Sequence, residues 1–300
     1  MKQTDYLKKF KHNDPHALAF FVANGYVIYD DAFDIKFIES CRKFFLDRIY
    51  VLKDNVSKGK IEEDYHGWSI TLINEFYRTK LFSEYLYSKN TIKILKEILG
   101  PDIAVLGYDT LFINAPTCND PVLKKTVHTD TWTGTSANSI MAKVFLTDVD
   151  AYNGLTVFPG THLQGIIPVR NRTVDPSLKL DFQEINLVNS KAGDFVIWHP
   201  LLLHSTSGNS DKNIRMSITS RYTSTETEFS SQERALGYKT IKVGPMNQIR
   251  RLIGNDNLTP FRTYGGHAGI DRRLSDLYEY GNYEKLKDYS QLLEGMKSDD

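Results

Sequence analysis

The chain has 300 residues, and its 37 Lys+Arg balance 37 Asp+Glu to a formal charge of zero. That balance excludes the basic excess of a general nucleic-acid binder and the long-range field that draws a protein to an anionic membrane surface. Hydrophobic residues at 41% support a sizeable core, and the two cysteines, Cys41 and Cys118, are too few for a disulfide framework or a thiolate zinc cluster.

Met1 to Asp14 is charged and carries no apolar segment of the kind a secretory signal needs, so the expected setting is cytoplasmic. No apolar run approaches the roughly 18 residues of a membrane helix. In the first hundred residues, helical spacing is expected at Leu7 and Phe10 and again at Phe37, Ile38, Cys41, Phe44 and Phe45. Tyr26 to Tyr29 is a short strand-like run, and Lys53 to Asp64 is polar enough to suggest a surface turn. Thr91 to Leu99 is an amphipathic helix stopped by Gly100-Pro101.

From Asp102 the period changes. Ile103 to Ile113, Met141 to Leu146, Leu155 to Phe158, Phe195 to Trp198 and Ile214 to Thr219 have strand character. Gly, Asn and Pro turns separate them, and no helical pattern alternates with them. A mainly β jelly roll with flanking helices is therefore expected, rather than a parallel doubly wound sheet. The division expected within a single domain is a helical part over 1–101, a β core over 102–225, and an extension or lid over 226–300.

His128-Thr129-Asp130 places an imidazole and a carboxylate two residues apart, which in an extended segment puts both on one face. Alone, this is weak: a surface His–Asp pair satisfies the same pattern. His204 strengthens it, because it follows the apolar run Phe195 to Leu203, and a buried imidazole needs partners. Two histidines and one carboxylate form the facial triad of non-haem Fe(II), which leaves coordination positions open. Arg215, eleven residues beyond His204, lies in a strand whose apolar residues Ile214, Met216 and Ile218 alternate with Arg215, Ser217 and Thr219. A guanidinium inside a barrel stays charged and requires an anion, which a small dicarboxylate supplies through a bidentate fork. A strand-edge arginine paired with a surface carboxylate is the plain alternative.

The ordered set resembles the phytanoyl-CoA dioxygenase family of Fe(II)/2-oxoglutarate oxygenases, in its ectoine-hydroxylase-like branch. The residues that carry the resemblance are His128-Thr129-Asp130, then Phe145 to Asp148 through Asn153-Gly154 to Phe158-Pro159-Gly160-Thr161-His162, then Gly193-Asp194 through His204 to Arg215-Met216-Ser217. The resemblance implies a cupin-like double-stranded β-helix, with Fe(II) bound by His128, Asp130 and His204, and with 2-oxoglutarate and O2 as co-substrates. It implies that Arg215 clamps the far carboxylate of 2-oxoglutarate, assisted by Thr206, with Asn114 and Thr110 on the strand before the triad. Relatives often carry an aromatic residue eleven before the N-G glycine, where this chain has Lys143. That lysine either enters the barrel to meet 2-oxoglutarate or an anionic substrate, or sits one register away in solvent.

The retained Asp130 points to hydroxylation or a related C–H oxidation rather than halogenation, since halogenases of this kind replace the carboxylate by a small residue. Trp132 is a candidate wall of the substrate pocket or a core aromatic. His199, five residues before His204, reads as structural, and His162 as structural or supporting. The implied activity is hydroxylation of an unactivated C–H in a small molecule, in specialised biosynthesis. A metal-binding cupin without turnover and a zinc hydrolase on the same triad remain as alternatives, and neither substrate nor oligomeric state follows from the sequence.

Overall fold

A computed structural model describes residues 3–106, 110–115, 125–130, 138–149, 154–167, 169–170, 173–174, 178, 181–187, 190–206, 209, 213–225 and 238–242. Trp132 and the segment beyond 242 lie outside the described residues.

The helices among them are α1 (Ala17–Asn24), α2 (Ile35–Ser57), α3 (Tyr65–Phe76), α4 (Lys80–Leu86) and α5 (Lys89–Leu99). The strands are β1 (Lys9–Phe10), β2 (Tyr26–Tyr29), β3 (Ile103–Leu106), β4 (Thr110–Asn114), β5 (Lys125–His128), β6 (Ser139–Phe145), β7 (Leu155–Val157), β8 (Val169–Arg170), β9 (Thr173–Val174), β10 (Ile185–Asn186), β11 (Phe195–Trp198), β12 (His204–Thr206), β13 (Arg215–Ser224) and β14 (Tyr238–Lys242).

A major sheet runs in the order β1-β2-β11-β6-β13-β3-β14, with β4 also on β13, and a minor sheet runs β10-β7-β12-β5. Period-2 alternation sorts the major sheet's side chains between two cores. Val27, Tyr29, Ala142, Val144, Phe195, Ile197, Met216 and Ile218 join the core that also holds Ile38, Cys41, Phe45, Phe76 and Ile94 from the helices. Tyr26, Ile28, Phe145, Val196 and Trp198 face the other way and pack with Leu155, Val157 and Ile185 of the minor sheet. The result is three layers: helices, major sheet, minor sheet.

Two expectations at the N-terminus give way. Leu7 ends a 3-10 turn and Phe10 lies in β1, which pairs in parallel with β2. The supposed turn from Lys53 is helical as far as Ser57. Its polar residues occupy the solvent side of α2, while Leu52 and Val56 carry the apolar stripe of Ile38, Cys41, Phe45 and Ile49 onward against the core. The strand expected over Ile214 to Thr219 begins at Arg215 and runs on to Ser224. Among the described residues no helix is long and apolar enough to cross a membrane.

Helix α1 positions the later turns. It stops at Gly25, whose φ of 79° is a left-handed conformation suited to glycine. Three carbonyls at its end then accept bonds from distant segments: Val22 from the His162 ring, Asn24 from the Gly160 N–H (3.0 Å) and Gly25 from the His199 N–H (2.8 Å). The unpaired carbonyls of a helix end thus fix the two turns that flank the approach to His204.

Candidate metal centre

Strand pairing brings His128 opposite His204, since β12 runs antiparallel to β5 in that register. Asp130 lies past the end of β5, so strand alternation does not aim it. Its backbone N–H donates to the Pro200 carbonyl at 2.8 Å, which anchors it to the turn after β11. Ligand atoms of His128, Asp130 and His204 all fall within 4.8 Å of one another, and all three residues are buried. The Asp130 carboxylate sits 3.8 Å from His128 Nε2 and 3.4 Å from His204 Nε2.

Each imidazole is oriented from behind. His128 Nδ1 lies 2.6 Å from the Thr126 carbonyl, and His204 Nδ1 lies 3.0 Å from the Leu202 carbonyl. A carbonyl only accepts, so each Nδ1 carries a proton, and in the neutral ring each Nε2 presents a lone pair towards the shared centre. Asp130 is held by the indole N–H of Trp198 at 3.0 Å. An outer shell of this kind sets tautomer and direction for metal ligands. Two neutral imidazoles and one carboxylate, with no thiolate, fit a divalent non-haem iron.

Thr161 sets the height of His204. Its hydroxyl accepts from the Leu203 N–H at 2.9 Å and donates to the Phe158 carbonyl at 2.8 Å. The Phe158 N–H returns a bond to the Leu203 carbonyl at 3.0 Å. The P-G-T-H turn is thereby stitched to the residue before the second histidine.

Beside the triad is a cavity lined by Phe112, Asn114, Lys143, Phe145, Gly154, Leu155, Thr206, Arg215 and Ser217. It gathers Asn114, Lys143, Thr206 and Arg215 of the expected site. Lys143 points inward and is 6% exposed, which decides between its two registers. Thr110 shares the face of Asn114 but does not line the cavity. The Asn114 side-chain nitrogen is buried without a hydrogen-bond partner, while its backbone carbonyl is held by Asn209 at 2.8 Å. A donor left open in a cavity that also holds a guanidinium and an ammonium suits an anionic ligand rich in acceptors. At Gly154 a Cβ would meet the Asn186 side-chain oxygen at 2.8 Å, so the N-G glycine keeps that wall close.

Three supporting residues were not among the expected site residues: Trp198, Thr161 and Ser217. Trp198 had a signal, because a buried indole N–H requires an acceptor and the nearest candidates are the triad's own groups. Ser217 shares the inward face of Arg215, so alternation alone places it in the cavity. Thr161 has no signal apart from its motif.

Facing sheets, a buried two-histidine, one-carboxylate cluster and an adjoining cationic cavity define a jelly-roll protein with a non-haem metal centre. A model of the phytanoyl-CoA dioxygenase family matches residues 21–217, and the chain belongs to that family. The probable phytanoyl-CoA dioxygenase of Caenorhabditis elegans is 24% identical over 228 residues, spanning 68% of this chain and 73% of its own. Among solved structures, the non-heme monooxygenase ThoJ has a TM-score of 0.60 at 14% identity, over 92% of this chain and 98% of its own. EctD from S. alaskensis, solved with 2-oxoglutarate and 5-hydroxyectoine, has a TM-score of 0.52 at 14% identity, over 73% and 79%. The epimerase SnoN, solved with Fe3+, alpha ketoglutarate and nogalamycin RO, has a TM-score of 0.53 at 14% identity, over 72% and 86%. These likenesses are of fold, and the fold is the double-stranded β-helix.

Proposed function

We propose that the protein is an Fe(II)- and 2-oxoglutarate-dependent dioxygenase that hydroxylates an unactivated C–H bond of a small polar metabolite in a specialised pathway. The observation that carries this reading is the convergence of His128, Asp130 and His204 within 4.8 Å. The family supports the dioxygenase class. The ligands of EctD and SnoN support iron with the keto acid, and a small-molecule substrate.

His128, Asp130 and His204 would hold the iron, and Arg215 would hold the far carboxylate of 2-oxoglutarate. When bound, the ferrous ion supplies the one-electron and oxygen chemistry that side chains lack. The chain does the rest. Trp198 keeps the Asp130 carboxylate turned to the centre. The Thr126 and Leu202 carbonyls keep the proton on the outer nitrogen of each imidazole. Arg215 and the open Asn114 amide set the direction of the keto acid, and Thr206 adds a hydroxyl beside them. Phe112, Phe145 and Leu155 give the cavity an apolar lining, which strengthens the pairing of Arg215 with a carboxylate.

The test is succinate release from 2-oxoglutarate in air with Fe(II) and ascorbate, measured alone and against a panel of small polar metabolites. The wild-type protein should release succinate, faster with its true substrate. Asp130→Ala and Arg215→Met should release none above background. Turnover that survives Asp130→Ala, or none in the iron-loaded wild type, contradicts the reading.

A further inference from the structure

We propose that Lys143 is a second cationic contact for the keto acid, directed at the carboxylate on the metal side while Arg215 takes the one remote from it. This rests on the oxygenase reading above and deepens it.

The inner face of the major sheet is a ladder of cross-strand rows. Arg215 pairs with Asn114 in the first row. Ser217 lies between Phe112 and Phe145 in the second. Thr219 lies between Thr110 and Lys143 in the third. In the fourth, Met141 lies between Arg221 and Trp198, the residue whose indole holds Asp130. The guanidinium and the metal cluster therefore mark opposite ends of the ladder. Lys143 stands next to the metal end.

Its ammonium is directed across the cavity, not out of it. The Nζ atom lies 4.8 Å from the Phe112 ring centroid and 6.0 Å from that of Trp198. Two aromatic faces at these distances attract a cation and restrict where it goes. Lys143 lines the same cavity as Arg215, Asn114 and Thr206, and none of the described residues lining it is acidic. Two cations at different depths of one small cavity select a ligand with two separated negative groups. 2-Oxoglutarate has that form: with its far carboxylate on Arg215, its other carboxylate is the group left for a cation nearer the metal end. A neutral substrate has no use for an ammonium at this depth.

The measurement is calorimetric titration under argon of Mn(II)-loaded protein with two ligands: 2-oxoglutarate and 2-oxopentanoate, the same chain without the far carboxylate. Lys143→Met and Lys143→Gln should each weaken both ligands by a similar factor, roughly tenfold or more for a lost charge-assisted hydrogen bond. Lys143→Arg should recover most of the loss. Arg215→Met should weaken 2-oxoglutarate alone. Melting curves and Mn(II) affinity separate a binding defect from a folding one, and either neutral variant suffices. Affinities unchanged in a folded Lys143 variant overturn the proposal, and so does a loss confined to 2-oxoglutarate, which would move the lysine to the far end. A wild-type protein that holds Mn(II) but neither keto acid overturns the oxygenase reading and this inference with it.

Discussion

One histidine pair sits on facing strands and a second on two turns, and their contrast shows what makes an imidazole a ligand. The His128–His204 rings are 4.3 Å apart and the His162–His199 rings 5.5 Å, with an interplanar angle of 48° in both. Ring geometry alone does not separate them. The nitrogens do. In the first pair the outer Nδ1 atoms are committed to backbone carbonyls and the Nε2 atoms converge on a carboxylate. In the second, His162 spends its Nε2 on the Val22 carbonyl, and His199 Nδ1 accepts from the Leu201 N–H at 3.1 Å. The first pair faces a common centre; the second closes a helix end and a turn.

The largest way to break the contrast is at the carboxylate's support. Trp198→Phe removes the indole N–H from Asp130 and keeps an aromatic ring in its place, so metal affinity should fall about 10- to 100-fold, the usual cost of a lost outer partner of a metal ligand. Titration with Fe(II) against a competing chelator measures it, and an unchanged affinity would show that Asp130 needs no such support.

A smaller effect is expected on the other side. His199→Ala should leave metal affinity within about twofold and lower the melting temperature by only about 2 °C, as a turn contact of about 1 kcal/mol would in a chain of this size. A collapse of metal binding in that variant would merge the two pairs into one site.

The smallest effect is in pH. Burial holds the His162 pKa below its ordinary value, and the bond to Val22 only partly opposes this. With the folded value depressed, the unfolded chain takes up the proton first. The contribution of His162 is then complete above the unfolded value of ~6.5 and is lost as pH falls through it towards the folded value. Melting temperature should decline with acid in that window, with a shallower slope in His162→Gln. Equal slopes in the two proteins would remove the assignment.

Much of this was legible beforehand, and what was hidden has a physical cause. Strand β11 has the bounds that its apolar run from Phe195 to Trp198 suggests, because both of its faces are buried. The inward turn of Arg215 follows from alternation with Met216 and Ile218, since one face of β13 packs on the helices. By contrast, β5 and β12 are short strands, too short to show a period, yet they carry both histidines. Helix α3 includes Gly67 and several β-branched residues of weak helix propensity; its start is set by Asp64, whose carboxylate accepts from the Gly67 N–H, and its hold comes from packing of Trp68, Leu72 and Phe76. The aim of Asp130 depends on Pro200, seventy positions away in sequence, which no local pattern reveals.

The central claim is that three buried side chains form one ferrous site beside a keto-acid cavity. An anaerobic optical titration tests it most directly: Fe(II) and 2-oxoglutarate added together should raise the visible charge-transfer band of an iron-chelated keto acid in the wild type, and no band in Asp130→Ala. A band of equal strength in both proteins, or in neither, would contradict the account.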